Sequence, residues 1–152
     1  MQEINVDFHI HSRYSGGTSP QMNIPNLAEG GQGKGLDVIG TGDATHPGWL
    51  KHLEKNLEEE DDGVYKYGNS KTKFLITAEV EDKDRIHHLL LFPDLDCARR
   101  FREDIINSSV DIDREGRPHV QLSGSELIDL SNDCDSLLGP CHAFTPWTSI
   151  YK

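Results

Sequence analysis

Apolar and polar residues alternate along Ile4-Asn-Val-Asp-Phe-His9, the period-two mark of a strand with one face on a core. Pro25 to Lys34 reads as a helix, with Pro25 suited to its first turn and Gly35 to its end. Leu36-Asp-Val-Ile-Gly40 predicts a second strand, and a helix follows from about Pro47 to Leu57. The acidic run Glu58 to Asp62 reads as a solvated turn, because clustered like charges repel and resist burial. Val64 to Tyr67 and Phe74 to Val80 predict strands joined through a Gly68-Asn69 turn. Ile86 to Phe92 is almost continuously apolar, as in a strand covered on both faces. Helical spacing runs from Leu95 to Asn107, and Ser123 with Glu126 forms a capping-box pair ahead of a Leu127 to Leu130 helix. Ser136 to Pro140 predicts one more short strand.

Strands that alternate with helices in this order define an α/β chain of parallel βα units, as in a barrel. A closed barrel of that kind needs roughly 200 residues or more. This sequence has 152. The expectation is a partial barrel that stops before its last strands, with residues 1–152 forming the N-terminal portion of a larger domain. A sheet left open has an unpaired apolar edge, so self-association is expected as well.

Hydrophobic residues make up 35% of the chain and charged residues 27%, which excludes a disordered polymer and fits a globular protein. The formal charge of −11 repels polyanions, so contact with nucleic acid calls for a local basic patch or for metal ions. No apolar stretch approaches the ~20 residues of a membrane span, and no membrane partner is expected. Cys97, Cys134 and Cys141 are odd in number and lack paired spacing, which predicts buried free thiols and a reducing compartment. With no signal peptide after Met1, the chain reads as cytoplasmic. Cys134, Cys141 and His142 match no standard zinc-finger spacing.

Asp7-Phe-His9-Ile-His11 changes the picture. Side chains two apart on a strand point the same way, so His9 and His11 leave one face together and can share a metal ion. Asp43 follows Ile39-Gly-Thr-Gly42, Glu79 ends Phe74-Leu-Ile-Thr-Ala78, and His142 follows Leu137-Leu-Gly-Pro-Cys141. His87 and His88 are adjacent in the Ile86 to Phe92 run, so only one of them can face such a site, and apolar continuity does not choose between them. Metal-competent residues thus recur at the ends of successive apolar runs, where parallel βα folds place their active sites. Glu81 shares a face with Glu79 and reads equally well as a supporting carboxylate or a solvated loop acid. His46, His52 and His119 sit in polar stretches and read as surface residues. The glycines at 30, 31, 33 and 35 fit no phosphate-loop or dinucleotide pattern, and read as a permissive helix end.

This set resembles the polymerase and histidinol phosphatase (PHP) family of metal-dependent phosphoesterases. Asp7-Phe-His9-Ile-His11-Ser, Thr41-Gly-Asp43, Ala78-Glu79, His88-Leu-Leu and Pro140-Cys-His142 carry the resemblance. It is closest to the endonuclease Q branch, through His9-Ile-His-Ser-Arg-Tyr-Ser15, Glu79-Val-Glu-Asp-Lys83, Asp111-Ile-Asp-Arg-Glu-Gly-Arg-Pro118 and His142-Ala-Phe-Thr-Pro-Trp-Thr-Ser149. The resemblance implies a distorted (β/α)7 barrel with two to three zinc, manganese or iron ions in the complete domain. It also implies nicking of DNA on the 5′ side of deaminated bases and abasic sites.

By resemblance the ligands are His9, His11, Asp43, Glu79, His88 and His142, with Asp43 standing where the family usually has a histidine and serving a third ion. His87 then packs outward. Gly16 and Gly17 stand where many members carry an Asp or His, and the family's late Asp-x-His motif is absent. Arg13 and Tyr14 are placed to touch phosphate and sugar or base, and Trp147 to stack on a base. A small-molecule phosphatase of the histidinol-phosphatase type, or an inactive metal-binding fragment, are the alternative readings.

Overall fold

The computed structural model describes residues 3–151, so Met1, Gln2 and Lys152 lie outside the described residues. The elements follow in the order β1 (Val6–Asp7), α1 (Ile24–Lys34), β2 (Val38–Gly40), α2 (Pro47–Asn56), β3 (Glu58–Asp61), β4 (Val64–Lys66), β5 (Lys73–Glu81), β6 (His87–Phe92), α3 (Leu95–Ile105), α4 (Gly124–Asn132) and β7 (Leu137–Pro140). A short 3₁₀ turn, Ile106–Ser108, extends α3.

β1 is much shorter than the alternation from Ile4 to His9 predicts, and its continuation has a local cause. Phe8 crosses directly over Gly40, the last residue of β2, and Ile10 over Gly42 just beyond it. A Cβ on Gly40 would stand 2.5 Å from the Phe8 carbonyl oxygen, and one on Gly42 would stand 2.3 Å from that of Ile10. Only glycine admits so close a backbone approach. The segment bearing His9 and His11 is thereby laid against the segment bearing Asp43.

β1, β2 and β5 pair in parallel. The rest of the sheet departs from the expected run of parallel units. β3 and β4 form an antiparallel hairpin on β5, and β6 and β7 continue antiparallel from the far half of β5. The connection between β5 and β6 is only the tight turn Asp82–Ile86, where Asp82 accepts the backbone N–H groups of Asp84 and Ile86 at 2.9 and 2.8 Å. A parallel crossover needs roughly a dozen residues or more, so this turn can only send the chain straight back. The result is an open mixed sheet, β1-β2-β5-β4-β3 with β6 and β7 branching from β5, and not a row of βα units.

The acidic run is a second correction. Glu58–Asp61 is a strand rather than a turn, with every side chain exposed. Lys73 and Lys66 reach Glu60 at 2.5 and 3.8 Å, which relieves the like-charge crowding. The helices follow their sequence signals more closely. Asn23 and Ser123 cap α1 and α4, the latter through the expected capping box, and Gly35 ends α1 with a φ of 71°.

The cysteine reading is overturned. Cys97 at the start of α3 and Cys134 after α4 form a disulfide, with their Cα atoms 5.7 Å apart. They are 37 residues apart, so only the packing of α3 beside the end of α4 brings them into the range of about 4.4–6.8 Å that a bridge requires. Cys141 alone is free, and it is buried. The compartment reading drawn from unpaired cysteines therefore loses its basis. No helix among the described residues is long and apolar enough to cross a membrane.

Candidate metal centre

The C-terminal ends of the parallel strands β1, β2 and β5 lie at one edge of the sheet. Because β6 runs antiparallel to β5, it begins at that same edge, and β7 ends there. One rim therefore collects His9 and His11 after β1, Asp43 after β2, Glu79 and Glu81 near the end of β5, His87 at the start of β6, and His142 after β7.

Glu79 stands at the middle. Its side chain is 2% exposed, and four imidazoles surround its carboxylate: His11 at 3.0 Å, His87 at 2.9 Å, His9 at 3.3 Å and His142 at 3.4 Å. None of these contacts has the alignment of a hydrogen bond, and both Glu79 oxygens are buried without a hydrogen-bond partner. Buried carboxylate oxygens in that condition are rare unless another group serves them. The donors fall into two triplets that share Glu79, namely His9, His11 and Glu79, and Glu79, His87 and His142, the donor atoms of each within 4.8 Å of one another. Imidazole nitrogen with carboxylate oxygen suits zinc, manganese or iron, and the shared carboxylate suits a pair of ions. The residues present fit such ions.

His88 is not among them. In the β5–β6 ladder His87 lies opposite Glu81 and His88 opposite Val80. Residues directly opposite each other share a face, so His87 joins Glu79 and Glu81 while His88 joins the core side. His88 Nε2 instead meets Asp82 Oδ2 at 2.8 Å. Glu81 is a supporting carboxylate, meeting His87 Nε2 at 2.9 Å.

Asp43 also takes a different place from the third-ion ligand expected. It is fully buried, and both its oxygens are occupied. One meets His11 Nδ1 at 3.0 Å and accepts the Ser15 hydroxyl at 3.0 Å; the other accepts the Ser12 backbone N–H at 2.7 Å and hydroxyl at 2.6 Å. Each oxygen thus has two partners. Asp43 holds the ring of His11 so that Nε2 faces Glu79, the usual arrangement behind a metal-binding histidine.

His46, read from sequence as a surface residue, is buried as the N-cap of α2, its Nδ1 accepting the Gly48 N–H at 3.1 Å. His52 accepts the Ile24 N–H at 3.2 Å and stacks on Trp49, so it is also structural. Tyr14, expected at the substrate, stacks on His46 with ring centroids 4.0 Å apart. Arg13 is exposed and near enough to His52 to disfavour its charge. Trp147, 78% exposed, does line the cleft beside the histidines. Sequence reading missed Ser12, Ser15 and Arg117. The serines carry no signal in isolation, and Arg117 showed only as part of the Asp111 to Pro118 stretch.

Burial alone would push the Glu79 carboxyl up, but the close approach of His11, His87 and His9 outweighs burial and holds it far below the carboxylate range. Burial likewise works against a charge on His11, yet Asp43 and Glu79 prevail and push its pKa from 6.5 up to about 9. Burial, reinforced by Glu79, raises the Cys141 thiol and keeps it protonated in the metal-free protein. In the metal-free protein His11 therefore holds a proton at neutral pH, which a divalent ion bound there would have to displace. The apparent affinity for manganese is expected to climb about tenfold per pH unit up to the His11 pKa of about 9 and to level off above it. Calorimetry in buffers of different ionisation heat reads the proton released; a flat affinity with no proton release would remove His11 from the ligand set.

The rim is a candidate histidine–carboxylate metal site on an open mixed α/β sheet. The chain is similar in both sequence and structure to endonuclease Q. It superposes on the lesion-specific endonuclease of Pyrococcus furiosus with a TM-score of 0.92 and 47% identity, covering 97% of this chain and 36% of that one. An endonuclease Q complex with a 27-mer duplex, an abasic lesion at its active site, matches with a TM-score of 0.91 and 47% identity, covering 97% of this chain and 37% of that one. An uncharacterized protein of Methanocaldococcus jannaschii is 43% identical over 146 residues, 96% of this chain and 17% of that protein. The chain thus spans about a third or less of the proteins it matches. No family model matches it.

Proposed function

We propose that the chain carries the metal-holding, N-terminal portion of a PHP-type DNA repair endonuclease of the endonuclease Q kind, which nicks on the 5′ side of deaminated bases or abasic sites. One observation supports this above the rest: Glu79, buried and without hydrogen bonds, is shared by two ligand triplets at the rim where the strands end. A phosphodiester resists hydrolysis because its negative charge repels nucleophiles. The chemistry that zinc, manganese or iron supplies at such a rim is neutralisation of that charge and activation of water.

The chain's own residues do the rest. Glu79 would be shared between two ions, with His9 and His11 holding one and His87 and His142 the other. Asp43, with Ser12 and Ser15, fixes His11, and Glu81 fixes His87. Trp147 offers an exposed ring at the cleft on which an unpaired or extruded base can stack.

A chimera tests the reading: these residues replace the equivalent segment of the Pyrococcus furiosus endonuclease. It is expected to nick a duplex with an abasic site when manganese is added and to stop when a chelator removes the metal. Nicking that persists in the chelator, or a chimera that binds the duplex with manganese and never cuts it, would sink the proposal.

A further inference from the structure

Arg117 stands beside the ligand rim as a counter-charge to Glu79 in the metal-free protein. Its guanidinium is 3.6 Å from Glu79 Oε2, too far for a hydrogen bond, and its Nε is buried without a partner. The side chain is 32% exposed and lines the cleft of about 380 Å³ together with His9, His87, His142 and Trp147. Among the described residues lining that cleft it is the one lysine or arginine. In a chain of net charge −11, a lone arginine at this place is a local exception to the field around it.

The loop that carries it is fixed on both sides. The Gly116 N–H donates to the Tyr14 carbonyl at 2.9 Å, and the Pro118 carbonyl accepts the Glu81 N–H at 3.0 Å. Gly116 also presses on the Asp43 cradle, where an added Cβ would lie 2.5 Å from the Asp43 carboxyl carbon. The guanidinium is therefore delivered to the cleft by the same residues that orient His11 and His87.

We propose that Arg117 is the phosphate-gripping residue of the cleft, donating to a non-bridging oxygen of a phosphodiester in a nucleic-acid strand. This rests on the metal-centre reading above. Ions held at Glu79 satisfy that carboxylate's charge, so it no longer needs Arg117 as a counter-charge. A positively charged rim with an unsaturated guanidinium then lacks an anion. A phosphate oxygen is the acceptor whose charge and geometry fit the arginine fork. The ligand class is a phosphodiester, and binding requires the ions.

The test uses the manganese-loaded chain and the thymidine dinucleotide TpT, which has one phosphodiester, against thymidine, which has none. Calorimetry reports binding, and tryptophan fluorescence, to which Trp147 at the cleft contributes beside buried Trp49, supports it. The wild-type chain is expected to bind TpT and not thymidine, and only with manganese. Arg117→Ala should weaken TpT binding about tenfold or more while leaving manganese affinity within about threefold. Arg117→Lys, which keeps the charge and spares the loop, should recover part of the loss. TpT binding by Arg117→Ala equal to wild type overturns the assignment, as does a manganese-loaded wild type that ignores TpT. So does a manganese affinity that falls as far as TpT binding in both variants, since Arg117 would then be a support for the ligands. Failure of the underlying reading looks different: His9→Ala would bind manganese as well as the wild type does.

Discussion

Glu79→Gln is expected to lower manganese affinity by about a hundredfold or more and to abolish nicking in the chimera, with the fold intact. The size of the effect follows from position. Glu79 is the one side chain common to both ligand triplets, so a neutral amide weakens both at once. The backbone of β5 does not depend on it, because Ala78 and Val80 on either side are fully buried against the core. The metal-free protein should respond too, and in a fixed direction. His11 owes its raised pKa to Asp43 and Glu79, so losing one carboxylate brings that pKa down from about 9 toward 6.5. A histidine with a raised folded-state pKa contributes stability that is complete below 6.5 and vanishes as pH rises through about 9. Glu79→Gln removes part of that contribution, and the Glu79 carboxyl, held below its ordinary 4.5, adds stability only above that value. The variant should therefore lose stability between about pH 5 and 9 and approach the wild type both in acid and above about pH 9. Titration calorimetry and thermal melts across pH read both effects. Manganese binding close to wild type would move the bridge to another carboxylate, and Glu81, 2.9 Å from His87, would be the first to examine.

Local signals made the helices and most strands legible in the sequence. Asn23, Gly35 and the Ser123–Glu126 pair mark helix ends through hydrogen bonds that close within a few residues, so the chain itself carries the information. The direction of β6 and β7 is settled instead by a tight turn and by pairings far apart in sequence, and the parallel reading failed there. The disulfide is of the same kind, two residues 37 apart that only the packed helices bring together. At the rim, His9, His11, Glu79 and His142 could be picked out because each sits at the end of an apolar run. The place of Asp43 could not, because a carboxylate that binds an ion and one that orients a histidine look alike until their partners are known. Here Ser12, Ser15 and His11 occupy both oxygens.

The neighbouring histidines of β6 make the sharpest contrast. His87→Ala is expected to weaken manganese binding by about tenfold to a hundredfold, whereas His88→Ala should leave it within about threefold. The second variant should pay in stability instead. His88 is 7% exposed, and its removal strips Asp82 Oδ2 of a 2.8 Å partner inside the protein. A buried acceptor left in that state costs about 1–3 kcal/mol. For a chain of this size that is a fall of roughly 2–10 °C in Tm. The two variants should therefore separate cleanly, one losing metal and the other losing heat stability. Their separation rests on the register His87 opposite Glu81 and His88 opposite Val80. Side chains alternate along a strand, so a shift of one residue would exchange the two faces. If His88→Ala lost the metal while His87→Ala only melted earlier, β6 would sit one residue out of that register, and His88 would replace His87 beside Glu79.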